Sequence, residues 1–271
     1  MNTLNLINSE NSDIDYVVSR FPDGEVKITL GEINRKEPLD VVCRVRNAEE
    51  LFILTQVADI LDRHCVVWTL HIYYLMSMRM DRVMTFNDPY NLKIVSSIIN
   101  TFKANKISVY HPHSNKTALL IDNFITFFND EHPNCNDFRQ EDYQVCFPDE
   151  GAYERYSEHY NFVNNPLICK KERDVNTGKI LGIKVVNPED YLHKKIMVVD
   201  DLCDAGGTFI GVAKAIRSID ENANISISVI HMVNRKGIEN LSSAYNEVFF
   251  TNTYNDWQKI PSNCKIFDVI K

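Results

Sequence analysis

The sequence predicts an α/β protein of two similar halves, each a mainly parallel sheet flanked by helices. Strand-like and helix-like segments alternate from Leu39 to Tyr110, the pattern of parallel strands joined by right-handed crossovers. A second series of the same kind begins after about residue 125. Within it the apolar run Ile196–Val199 ends on two carboxylates and a small-residue turn, as a buried parallel strand does at its ligand-facing end. A chain of 271 residues holds one large or two modest domains; the two series divide it into residues 1–125 and 126–271.

Each element follows from its pattern. Leu39–Val45 reads as a strand, and Ala48–Leu61 as a helix with Leu51, Leu54, Val57 and Leu61 on one face. Val66–Tyr74 is expected as a strand, Tyr90–Lys103 as a helix and Ile107–Tyr110 as a strand. The second half supplies strands at Gln144–Phe147, Leu167–Cys169, Ile196–Val199 and Ile225–Ile230. A helix opens at Thr208, with Phe209, Ala213, Ile216 and Ile219 at helical spacing. In open α/β sheets ligands lie outside the carboxyl ends of the strands. Arg79, His111, His113, Asp149 and Asp200 all follow such ends and are expected around one cleft.

Composition narrows the partners. A hydrophobic fraction of 44% marks a globular protein, and a net charge of −8 argues against nucleic acid or an anionic membrane as the main partner. Seven cysteines without a C-x-x-C pair fit reduced thiols, hence a cytoplasmic place, better than a disulfide framework. The first residues lack the basic start and apolar run of a signal peptide. The longest apolar stretch, Cys65–Met78, is 14 residues and interrupted by His71, too short to span a bilayer.

The most informative stretch is Lys194–Thr208. Asp200 and Asp201 close the apolar run, Ala205-Gly206-Gly207 makes a turn, and Thr208 opens the helix. Backbone amides at such a turn favour a phosphate, and the acidic pair suits sugar hydroxyls or a metal-bound sugar. No lysine follows the glycines, so the loop is not a P-loop. Together these groups point to a phosphorylated ribose.

Asp200–Thr208 resembles the pentose-phosphate loop of the type I phosphoribosyltransferase fold. Four further segments, in the family's order, resemble ribose-phosphate pyrophosphokinases (PRPP synthetases). Arg20-Phe21-Pro22-Asp23-Gly24-Glu25-Val26 is similar to the family's R-F-x-D-G-E, and Arg79-Met80-Asp81-Arg82 to its R-Q-D-R. Phe147-Pro148-Asp149-Glu150-Gly151 is similar to S-P-D-x-G, and Lys171-Glu172-Arg173 to the catalytic K-R-R. The resemblance spans residues 18 to 254. The pattern over Lys171–Ile180 also resembles a divergent branch, found in phages and linked to NAD salvage, some of whose members act on ADP-ribose.

The resemblance implies two type I phosphoribosyltransferase-like domains, 1–125 on the ATP side and 126–271 carrying the pentose-phosphate loop. It implies transfer of the β,γ-diphosphate of ATP to the anomeric hydroxyl of a 5-phosphorylated ribose, either ribose 5-phosphate or ADP-ribose, with a magnesium ion (Mg2+) and release of AMP. Lys171 and Arg173 are then catalytic. Phe21, Asp23, Glu25, Arg79, Asp81 and His113 bind ATP. Asp200 and Asp201 bind the ribose, and Asp204, Ala205, Gly206, Gly207 and Thr208 its 5-phosphate. His113 and Asp149 hold the metal. The Phe21–Glu25 hairpin is expected to reach a neighbouring subunit, so a homodimer or larger homo-oligomer is implied.

Some readings need only the residues. Phe21, Asp23 and Glu25 alternate, so an extended hairpin would put them on one side, although Pro22-Asp23-Gly24 is also an ordinary turn. His111 and His113, two apart, would point the same way in an extended segment. Lys171–Lys184 is polar and contains Asn176-Thr177-Gly178, a hairpin-turn signal, which by composition reads as a solvated charged hairpin; the resemblance implies a mobile loop that closes over ATP. Against the family pattern, Met80 replaces Gln, His111 replaces Asp and Ala205 replaces Thr, and the C-terminal helix is expected to have no counterpart in Cys264–Lys271. The alternatives are a phosphoribosyltransferase that consumes the activated sugar, which would need neither Phe21–Glu25 nor Lys171–Arg173, and a non-catalytic regulatory relative.

Overall fold

The computed structural model describes residues 2–127, 143–157, 165–173 and 180–270. The chain forms two compact units, Met1–Phe128 and Asn129–Ile270.

The first unit is a five-stranded parallel sheet. Its strands are β1 (Asn2–Asn5), β4 (Leu39–Val45), β5 (Trp68–Leu75), β6 (Lys106–Tyr110) and β7 (Phe124–Phe127), in the order β1-β4-β5-β6-β7. Between β1 and β4 the chain makes a separate antiparallel hairpin, β2 (Tyr16–Arg20) and β3 (Val26–Leu30). The crossovers are α1 (Ala48–Arg63), α2 (Asn91–Ile99) and α3 (Lys116–Leu120). Asn47 caps α1 by accepting from the Glu50 amide at 3.0 Å, and Leu51, Leu54, Val57 and Leu61 are buried as their spacing requires. Gln56 of α1 holds the free edge of β3. It accepts from the Ile28 amide at 3.1 Å and donates to the Val26 carbonyl at 3.0 Å.

The second unit contains β8 (Tyr143–Phe147), α4 (Glu150–Tyr156), β9 (Leu167–Arg173), β10 (Ile180–Val185), β11 (Lys195–Cys203), α5 (Gly207–Arg217), β12 (Ile225–Met232), α6 (Arg235–Ala244), β13 (Glu247–Thr251) and β14 (Cys264–Phe267). The order is β10-β9-β8-β11-β12-β13-β14, parallel throughout except for β10, which runs antiparallel to β9 at the edge. The central strands are apolar on both faces: every residue from Ile196 to Cys203 and from Ile225 to Met232 is buried. From β8 the chain passes to β9 on one side and later returns to β11 on the other. Strand order therefore reverses between β8 and β11, the point at which α/β sheets open a ligand crevice at their carboxyl ends.

Several sequence expectations need correction. The helix expected over Tyr90–Lys103 is only Asn91–Ile99, because Asn100 caps it and Thr101 bonds back to the Ile98 carbonyl at 2.7 Å. Ile219 lies beyond the end of α5 and is 37% exposed. Lys171–Arg173 and Ile180–Lys184, expected within a loop, are strand residues. Lys171–Arg173 end β9, which pairs with β10 through Arg173 opposite Ile180. The Asn176-Thr177-Gly178 turn lies outside the described residues. Among the described residues, no helix is long and apolar enough to cross a membrane.

Candidate functional site

At the reversal point of the second unit, Asp149 lies two residues beyond β8, and Asp200 and Asp201 lie near the end of β11, followed by the loop to α5. The turn needs Gly206, which sits at φ +80°, a left-handed conformation that side chains with a Cβ rarely adopt. Gly206 precedes α5 and no side chain caps this helix start. Its first amides, at the positive end of an eleven-residue helix, are therefore presented to an anion. Asp204, Ala205 and Gly207 are exposed, and Thr208 is half-buried.

The loop is braced by α6. Asn234, the N-cap of α6, donates from Nδ2 to Asp204 Oδ1 at 3.0 Å, and Asn240 Nδ2 donates to the Ala205 carbonyl at 2.8 Å. Gly237 gives the closest approach. A Cβ there would run into the Asp204 carbonyl oxygen. None of these three was legible as a loop support, because their partners lie about thirty residues away in sequence.

The acidic pair is enclosed. Asp200 is 8% exposed and Asp201 2%. Both meet Arg155 of α4, whose Nη2 donates to Asp200 Oδ1 at 2.8 Å and to Asp201 Oδ1 at 2.9 Å. Burial and the neighbouring Asp201 push the Asp200 carboxyl well above its ordinary range, and Arg155 opposes that shift. Arg155 was missed by sequence reasoning. Its only signal is a place six residues beyond Asp149.

Asp149 has two protein partners. It caps α4 by accepting from the Ala152 amide at 3.0 Å, and its Oδ2 accepts from Lys171 Nζ at 3.0 Å. Burial pushes its carboxyl up, but the Ala152 and Lys171 bonds outweigh burial and leave it below the usual range. The residue expected to hold a metal thus also holds the expected catalytic lysine.

In the first unit, Phe21, Pro22, Asp23, Gly24 and Glu25 form the connection between β2 and β3. The Gly24 amide bonds to the Phe21 carbonyl at 2.9 Å, and Asp23 Oδ1 accepts from the Glu25 amide at 3.1 Å. Phe21, Asp23 and Glu25 therefore belong to a turn, with Gly24 at φ +93°, and do not alternate along an extended strand. Phe21 is 49% exposed. Beyond β5, Arg79 is exposed, whereas Asp81 is buried and faces Arg82 Nε at 3.5 Å and Lys116 Nζ at 3.6 Å. Beyond β6, His113 is half-buried. His111 is buried at φ +42° with its ring against Tyr110, so the extended segment assumed for the two histidines is broken at His111.

Oxygen donors of the kind magnesium takes are present at Asp149 and the acidic pair. No three His, Cys, Asp or Glu residues cluster as a metal cage among the described residues. That donor set fits magnesium held by one or two protein groups and the phosphates of a substrate.

No family model matches the chain. The ribose-phosphate pyrophosphokinase of Saccharolobus solfataricus is 24% identical over 221 residues, 79% of this chain and 75% of that protein. The ribose-phosphate pyrophosphokinase of Sulfurisphaera tokodaii is 26% identical over 259 residues, 92% and 87% of the two chains. Three further relatives of that name are matched over 65–66% of their own length. The crystal structure of phosphoribosylpyrophosphate synthetase from Mycobacterium smegmatis superposes with a TM-score of 0.80 over 96% of this chain and 88% of that one. At 18% identity this likeness shows the shared fold. The fold is thus the one found in that phosphoribosylpyrophosphate synthetase, and the sequence is similar, at 24–26% identity, to proteins named ribose-phosphate pyrophosphokinase.

Proposed function

We propose that this protein is an ATP-dependent ribosyl pyrophosphokinase. The anomeric hydroxyl of a 5-phosphorylated ribose attacks the β-phosphorus of ATP, the bond to the bridging oxygen of the α-phosphate breaks, and AMP leaves while the hydroxyl proton is released. The observation that carries this reading is the uncapped start of α5 beside Asp200 and Asp201, at the strand-order reversal. A 5-phosphate would lie on the amides of Asp204–Thr208 and the ribose hydroxyls on the acidic pair. Lys171 and Arg173 would stabilise the transferring phosphates. We assign Phe21, Asp23, Glu25, Arg79, Asp81 and His113 to ATP, making residues 1–125 the nucleotide side and 126–271 the acceptor side. We assign Asp149 and His113, each within its own unit, to magnesium binding; the ion when bound would spread the negative charge of the diphosphate.

Ribose 5-phosphate is the acceptor that the relatives' name supports. ADP-ribose is the second reading, favoured by Ala205. Its exposed methyl replaces a hydroxyl donor at the loop, which suits the weaker charge of a phosphate inside a diphosphate linkage. We also place the enzyme in the cytoplasm, as a homodimer or larger assembly. Incubation with ATP, magnesium and each acceptor tests the proposal. AMP should appear with ribose 5-phosphate, with ADP-ribose or with both. Its absence with both acceptors refutes the reading.

A further inference from the structure

Consecutive residues of a strand point to opposite faces, yet a single nitrogen of Arg155 touches both Asp200 and Asp201. An arginine Nη2 carries two hydrogens, one for each carboxylate. The usual arrangement is a fork onto one carboxylate; here the guanidinium gathers two. Pairing of β11 with β8 ends at Val198 opposite Cys146, before the acidic pair, and Asp200 Oδ1 turns back to accept from the Asp201 amide at 2.9 Å as well. The Arg155 side chain is itself 19% exposed, and Asp149 and Tyr156 are further ionisable groups near this cluster.

We propose that Arg155 is the positioning residue of the acceptor's diol site: its Nη2 clasps Asp200 and Asp201 to one side of β11, where together they receive the two ribose hydroxyls. Without the clasp the enclosed pair takes up a proton in place of the guanidinium, and the diol loses one of its two carboxylate acceptors. This role rests on the pyrophosphokinase reading, and it goes beyond the residues that the sequence resemblance supplies.

Arg155→Met and Arg155→Lys test it, with initial rates measured against each substrate in turn. Arg155→Met should raise the acceptor KM roughly tenfold or more while the ATP KM stays within about twofold. Arg155→Lys, which keeps the charge, should recover most of the loss. Equal rises in both KM values, or a lysine variant no better than methionine, would reduce Arg155 to a structural role and overturn the proposal. Should the methionine variant not fold, the lysine variant carries the test, with an acceptor-specific KM rise expected. Carbon-13 titration of the aspartate carboxyls is read without any reaction. Removing the guanidinium should move the titration of the acidic pair to higher pH, and an unchanged titration refutes the clasp. If the wild-type protein releases no AMP with either acceptor, the pyrophosphokinase reading falls, while the carboxyl titration still decides for or against the clasp.

Discussion

Lys171 Nζ and Asp149 Oδ2 lie 3.0 Å apart, and Asp149 caps α4 with its other oxygen, so the lysine's charge is fixed to the end of β8 by two bonds. If Lys171 and Arg173 stabilise the diphosphoryl group in flight, Lys171→Ala or Arg173→Ala should lower turnover by about 10² or more with the melting temperature nearly unchanged. Near-normal turnover in both would remove them from the mechanism. Asp149 also carries a pH signature. Its carboxyl is held below the ordinary range, so its stabilisation is fully present above the unfolded value of about 4 and is lost as pH falls through the lowered folded value. Asp149→Asn keeps the cap and loses the ion pair with Lys171, so the stability advantage of wild type, up to about 1 kcal/mol, should be present at pH 7 and vanish in strong acid. Denaturant melts at several pH values measure it. At the loop, Ala205→Thr should shift the ratio of specificity constants toward ribose 5-phosphate by roughly tenfold, one charge-assisted hydrogen bond. An unmoved ratio would detach Ala205 from acceptor choice.

At the scale of elements, the Asp204–Gly206 turn is held by contacts from α6. Gly237→Ala puts a methyl against the Asp204 carbonyl, a backbone atom that cannot rotate away, and within 3.2 Å of Cys203 Sγ and Met232 Sδ. Gly211→Ala meets side-chain atoms of Ile183 alone, Cδ1 at 2.9 Å and Cγ1 at 3.2 Å, and no backbone atom, so the contact is relieved by a side-chain shift. The first change should displace the loop and weaken ribose 5-phosphate binding by calorimetry; the second should leave binding nearly intact. Comparable losses in both would show that α6 does not set the loop. The contrast also explains what the sequence made legible. β11 and its turn were readable because a doubly buried parallel strand is one apolar run, and a left-handed turn calls for glycine. Arg155 was not, since an arginine beside Glu154 on a short polar helix reads as surface charge, and its partners lie 45 and 46 residues further on. The reading of His111 and His113 assumed extended backbone, which the left-handed His111 breaks. Strands as short as β1, β13 and β14 carry too few residues for a period to show.

For the whole molecule, the division into two α/β halves could be read from the repeated alternation, because crossover geometry leaves few other ways to bury such a pattern. Assembly is a different matter, since a turn sequence says nothing of what its tip will touch. The Phe21–Glu25 tip stands on a hairpin separate from both large sheets, anchored by Gln56 and by Arg20, which reaches the Gly24 carbonyl at 2.9 Å and Glu49 at 2.6 Å. A single half-exposed ring is ordinary on a protein surface, so the case for a second surface over Phe21 rests on the resemblance of Phe21–Glu25 to the family's hairpin. If that surface is the adenine site of a neighbouring subunit, the active species is at least a dimer, and each site draws its hairpin and its Lys171 from different chains. Phe21→Ala should then raise the ATP KM, and Lys171→Ala should abolish turnover. Mixing the two after reversible dissociation should restore activity. Random pairing in a dimer makes half the molecules mixed, each with one intact site of two, so about a quarter of the wild-type sites should return. A hairpin serving its own chain would give no recovery above the sum of the separate variants. Sedimentation at the assay concentration supplies the matching physical measurement: a fully active monomer would sink the shared-site arrangement, however the mixing experiment turned out.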